Sequence, residues 1–183
     1  MNLSIKSYFE NLQSKDKDLQ YEAYEKIMSA IDEKVDWAYD VWEQLMKDLT
    51  NADPHRRSRA AQFLCGLAKS DPEKRILNDF TAIWEVTKDQ KFVTARHSLQ
   101  STWKVGLAGT EQKEMVVDKL KDRFIHCEDE KNYTLIRFDL IQGLRYLYDH
   151  LKDEEIKHLA LELINKEEDG KYKKKYSSVW KNA

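Results

Sequence analysis

Five short polar breaks, each carrying an aspartate, interrupt this chain at nearly equal intervals. They read SKDKD, NADPH, TKDQK, CEDEK and EEDGK, and their aspartates are Asp16, Asp53, Asp89, Asp129 and Asp169. A repeat of about 36–40 residues constrains the fold strongly, because each unit must be one small supersecondary element stacked on the next. Apolar residues flank every break at three- and four-residue spacing. Trp42, Leu45, Met46 and Leu49 precede Asp53, and Ala60, Leu64 and Leu67 follow it. That spacing marks one buried helix face. The unit is therefore helix, Asp-bearing turn, helix. The expected fold is all-α, a right-handed α–α superhelix (solenoid) of about four to five helix-pair repeats, making one domain over residues 1–183.

The punctuation agrees. Five glycines and two prolines in 183 residues leave little material for hairpins. Both prolines follow aspartate, at Asp53-Pro54 and Asp71-Pro72. Asp can cap the open N–H groups of a new helix, and Pro suits its first turn. Ser70 and Glu73 in SDPE have the spacing of a capping box. Near the C-terminus, Tyr172, Tyr176 and Trp180 recur every fourth residue, which predicts a last amphipathic helix closing the stack.

The run DPHRRSRAAQFLCGLA, residues 53–68, joins an Asp-bearing turn to a helix rich in Arg and small residues. With the repeat it resembles the HEAT/armadillo-type helical repeats. The resemblance implies that the second helix of each pair lines a concave surface. A helical wheel on those helices turns Arg59, His97 and Lys104 outward, as a basic stretch. It also turns out Phe138, Gln142, Arg145 and Tyr146, an aromatic patch beside an arginine. Exposed aromatics next to Arg are typical interface anchors. These seven residues are the expected partner-binding set. The wheel points Trp103 toward the core.

Three other arginines, Arg57, Arg96 and Arg137, share one wheel angle at the edge of the core. They are expected to form a structural ladder with the turn aspartates Asp53, Asp89 and Asp129, since a guanidinium fork binds a carboxylate through two hydrogen bonds.

Catalytic chemistry leaves no comparable trace. His55, His97, His126, His150 and His158 show neither HExxH nor zinc-finger spacing. His126, Cys127 and the acids after them occupy adjacent positions that point apart. No phosphate-cradling glycine loop or nucleophile elbow occurs. No catalytic residue, metal or cofactor is expected. The expected function is a non-enzymatic scaffold that binds a protein partner through its concave face, with an acidic segment meeting Arg59, His97 and Lys104.

The alternative is a DNA-binding protein or base-excision glycosylase, because the basic middle with nearby aromatics resembles the DNA-alkylation-repeat glycosylases. Residues 55–104 do carry ten Lys/Arg against five Asp/Glu, and Asp139 and Asp149 are the outward acids such an enzyme would use. A net charge of −2 and a pI near 6.2 disfavour a nonspecific DNA grip. Cys65 and Cys127 form no framework, which fits reduced thiols in the cytoplasm. The first residues lack a signal-peptide pattern, and no apolar run suggests a membrane span.

Overall fold

Each Asp-bearing break becomes the turn inside a helix pair. The protein is represented by a computed structural model that describes residues 3–183, and its described residues are all-α, without strands. The pairs are α1 (Leu3–Asn11) with α2 (Lys17–Ala30), α3 (Ala38–Asp48) with α4 (Pro54–Leu67), and α5 (Arg75–Val86) with α6 (Phe92–Leu99). Then come α7 (Thr110–His126) with α8 (Tyr133–Leu151), and α9 (Glu154–Lys166) with α10 (Gly170–Val179). Short 3-10 segments cover Ala68–Ser70 and Thr102–Leu107.

The turns work by capping. Asp16, Asp53 and Asp169 stand directly before α2, α4 and α10, and each carboxylate accepts hydrogen bonds from first-turn N–H groups. Pro54 opens α4, where its missing N–H costs nothing. The SDPE segment behaves differently from the capping-box expectation. Ser70 Oγ accepts from Val35 N instead, Lys74 takes a left-handed φ of 54°, and α5 begins only at Arg75. The buried Asp71 carboxylate reaches forward to accept from Ile76 N at 2.8 Å, so the cap comes from the residue next to Ser70.

Helix α6 stops early because its hydroxyls compete for the backbone. Ser98 Oγ donates to Thr94 O, Ser101 Oγ to His97 O and Thr102 Oγ1 to Leu99 O. The chain continues as the 3-10 segment, which advances about 120° per residue rather than about 100°. Trp103 packs against the edge of the core, as the wheel expects, but is not enclosed by it. It is half-buried against Tyr146 and His150 of α8. Gly106 lets this segment approach α8, since a Cβ there would lie 2.7 Å from Leu147 Cδ2.

Packing follows the pair order. The second helices touch in series, α2 on α4, α4 on α6, α6 on α8 and α8 on α10. Among the first helices, α5 packs on α7 and α7 on α9. One continuous core runs through all five pairs, with Trp42, Phe63, Phe80, Phe124 and Tyr176 fully enclosed. Helix α4 is enclosed almost all round. Ser58, Gln62 and Cys65 share the wheel side of Arg59, yet all three are buried, because α2, α3, α5, α6 and the Thr102–Leu107 segment surround α4. Burial pushes the Cys65 thiol up to about 12, so it stays an un-ionised packing residue. At the far end Tyr176 donates to Thr134 O and Trp180 Nε1 to Ile141 O, which fixes α10 across α8. Among the described residues no helix is long and apolar enough to cross a membrane.

Candidate functional site

The arginines separate fixed scaffold from available surface. Arg57 on α4 grips Asp89 of the next pair through Nε at 2.6 Å and Nη2 at 3.0 Å. Its Nη1 also donates to the carbonyls of Asn51 and Ala52. Arg96 does not reach Asp129. It forks onto Asp139 of α8 at 2.7 and 2.8 Å, while Asp129 stays exposed in its turn. The turn before α8 is longer than the others, which leaves Asp129 away from both the helix start and the arginine. Arg137 bridges Glu128 and the buried Glu167, and donates Nε–H to Phe124 O. Asp53 likewise sits outside the expected ladder, because its carboxylate accepts from His55 N as a cap.

Arg123 joins the same system, although its spacing in the sequence gave no sign of it. Its guanidinium is buried between Thr87 and Glu130. Only the three-dimensional approach of α7 to the end of α5 reveals that partnership.

The Arg57–Asp89 pair has a pH signature. The Arg57 hydrogen bonds hold the Asp89 carboxyl below the usual carboxylate range, with Lys91 N–H assisting. A depressed folded pKa stabilises the protein fully above the unfolded carboxyl value of about 3.9. That stability is lost as pH falls through the lower folded value. Arg57→Ala should lower stability at neutral pH by about 1–3 kcal/mol. Melting curves from pH 6 downward should also show a flatter acid limb for this variant. An unchanged melting temperature at neutral pH would remove the stabilising role assigned to the pair.

Of the seven residues expected to meet a partner, several are engaged within the chain. Lys104 Nζ pairs with Asp32 at 2.8 Å. Arg145 binds Asp149 and the Val179 carbonyl, tying α8 to the C-terminal helix. Phe138 is half-buried, with Lys175 Nζ 4.7 Å from its ring centre. Gln142 is half-buried on α8. The carboxylates named for the glycosylase alternative are committed too. Asp139 is 3% exposed and accepts from both Arg96 and Gln100, and Asp149 pairs with Arg145. Asp139 thus faces inward, because α6 packs over that side of α8.

Two surface features carry residues of the expected partner-binding set. The first is a cleft of about 340 Å³ where α2, α4 and α6 meet. Lys17, Tyr21, His55, Arg59, Gln62 and His97 stand around it. Thr94 Oγ1 donates to Pro54 O at 3.2 Å and so brings α6, with His97, alongside the start of α4, with His55. Tyr24 OH donates to Gln62 Oε1, and Gln62 is held in turn by Ser58, which gives the cleft a fixed wall. The second feature is aromatic. Trp103 lies between Tyr146 and His150, with ring centres 5.1 and 5.0 Å away. Tyr146 is 41% exposed and His150 is exposed beside it. The wheel singled out Tyr146 but missed the other two rings.

Among the described residues no group of three or more His, Cys, Asp or Glu side chains could hold a metal ion. No protein-family model and no curated protein matches the sequence. Among solved structures, the crystal structure of an engineered protein, a structural genomics target, is similar with a TM-score of 0.59. The match spans 98% of this chain and 78% of that one at 14% identity, so the likeness is one of fold alone.

Proposed function

We propose that this chain is a non-enzymatic HEAT-like repeat scaffold whose concave, second-helix surface binds a segment of a protein partner. On this reading the helix pairs stack as a right-handed superhelix in a single domain. The serial contact of α2, α4, α6, α8 and α10 supports it, because in a solenoid each repeat touches mainly its neighbours. Cross-unit arginine pairs support it as well, since they fix one helix pair on the next.

The observation that carries the binding function is the ring cluster of Trp103, Tyr146 and His150. An aromatic surface held in place by stacking loses little freedom on binding, and such residues dominate interface energies. Tyr146→Ala tests this directly. With the full chain as bait in a lysate of the source cells, the variant should recover about tenfold less of the principal partner. Its melting temperature should stay close to that of the parent, because Tyr146 lies outside the core. Undiminished recovery would contradict the proposal.

A further inference from the structure

We propose that the cleft between α2, α4 and α6 is an anion-recognition subsite that receives an acidic side chain of the partner segment, with Arg59 as its central contact. This inference rests on the scaffold reading and adds the chemistry of what is bound.

Arg59 is an exception among the arginines. The sequence has eight arginines. Seven of them pair with a carboxylate: Arg56 with Asp48, Arg57 with Asp89, Arg75 with Glu73, Arg96 with Asp139, Arg123 with Glu130, Arg137 with Glu167 and Arg145 with Asp149. Among the described residues Arg59 alone has no such partner. Its Nη1 donates to Leu12 O at 3.3 Å and its Nη2 to Gln20 Oε1 at 3.1 Å, both neutral acceptors. Two contacts leave most of the five guanidinium donors unused.

Burial makes the exception costly. Arg59 is half-buried, and desolvation lowers its pKa despite the opposing influence of Asp53. A cation drawn out of water without a counter-charge is destabilising, and a ligand carboxylate would remove that penalty. The neighbouring groove between α1, α3 and α4, which Arg59 also lines, carries Glu10, Asp40 and Asp48, but among the described residues none of them forms an ion pair with Arg59. None of the cleft-lining residues is an acid, and Asp53 accepts the N–H of His55. Lys17 on α2, His55 on α4 and His97 on α6 line the same cleft. Tyr21, 62% exposed, offers a flat apolar rim for the chain that carries the acid.

The neighbouring cations do not extend the cleft's charge along α6 and α8. Beyond the cleft, Lys104 is neutralised by Asp32, Arg96 by Asp139 and Arg145 by Asp149. A nucleic-acid groove needs several phosphate contacts along a continuous track. One isolated pocket of about 340 Å³ suits a single carboxylate of a peptide better.

Selection of random displayed peptides against the full chain tests the inference without knowledge of the natural partner. The enriched sequences should share an Asp or Glu. A synthetic copy of the best one should bind Arg59→Gln about tenfold or more weakly than the parent, and changing its acid to the amide should cost the parent the same. If Arg59→Gln melts early, the exposed pair Lys17→Gln with His97→Gln carries the same expectation. Enriched peptides that lack an acid, or that bind parent and variants alike, would overturn the subsite while leaving a peptide-binding scaffold. Failure to enrich any peptide would count against the scaffold reading and the subsite together. Tighter binding of a single-stranded oligonucleotide than of the acidic peptide would overturn the choice of partner.

Discussion

Arg137→Ala is expected to destabilise the protein by about 3–5 kcal/mol, the range for breaking one side of a buried ion pair. Arg137 is 5% exposed and Glu167 4%. The guanidinium bridges Glu167 at 3.0 Å and Glu128 at 2.8 Å, lies 4.7 Å from the Phe124 ring centre, and satisfies the Phe124 carbonyl. Its removal leaves the Glu167 carboxylate without a counter-ion in the core between the fourth and fifth pairs, with the Asp169 N–H still donating to it. For a chain of this length that corresponds to a fall in melting temperature of roughly 6–20 °C. Urea unfolding followed by helix circular dichroism measures the loss. Arg137→Met combined with Glu167→Leu should recover much of it, because a buried ion pair can often be exchanged for apolar packing at little cost. If Arg137→Ala alone costs less than about 1 kcal/mol, Arg137 is not the tie between those pairs.

The second large effect concerns Trp42. The indole is completely buried on α3, meets Tyr39 edge-on, and donates Nε1–H to Asp79 on α5 at 2.8 Å. Trp42→Ala removes a whole aromatic side chain from the core and should cost about 3–5 kcal/mol. Trp42→Phe keeps most of the volume and loses the hydrogen bond, so about 1–2 kcal/mol is expected. The gap between the two variants separates packing from the polar link across the helix pairs. Equal losses would mean that the Asp79 bond dominates and that the surrounding core closes over the space.

The sequence carried the helix pairs well because their signals are local. An aspartate directly before a periodic apolar run, as at Asp16, Asp53 and Asp169, specifies a capped helix through atoms only a few residues apart. Arginine partners are not local. Arg57 meets Asp89 as the regular spacing suggests, but Arg96 finds Asp139 because the turn holding Asp129 is longer. Arg137 finds Glu167 because Asp169 is occupied as a cap. The wheel failed for a different reason. It assumes one buried side and unbroken α geometry, whereas α4 is surrounded and the chain after Leu99 turns 3-10. Cys65 is therefore inside, and Trp103, packed on the core edge, meets Tyr146 and His150 at the surface. Of the residues the wheel turned outward, His97 and Tyr146 are exposed and Arg59 is half-buried. What distinguishes Arg59 from the other arginines is its want of a carboxylate, which only tertiary placement reveals.

Hydrogen exchange of the full chain with and without its captured partner tests the central claim most directly. The account predicts added protection on the second-helix surface, at α2, α4, α6, the Thr102–Leu107 segment and α8, centred on Arg59 and on Tyr146. Protection confined to α3, α5, α7 and α9, with those two regions unchanged, would contradict it.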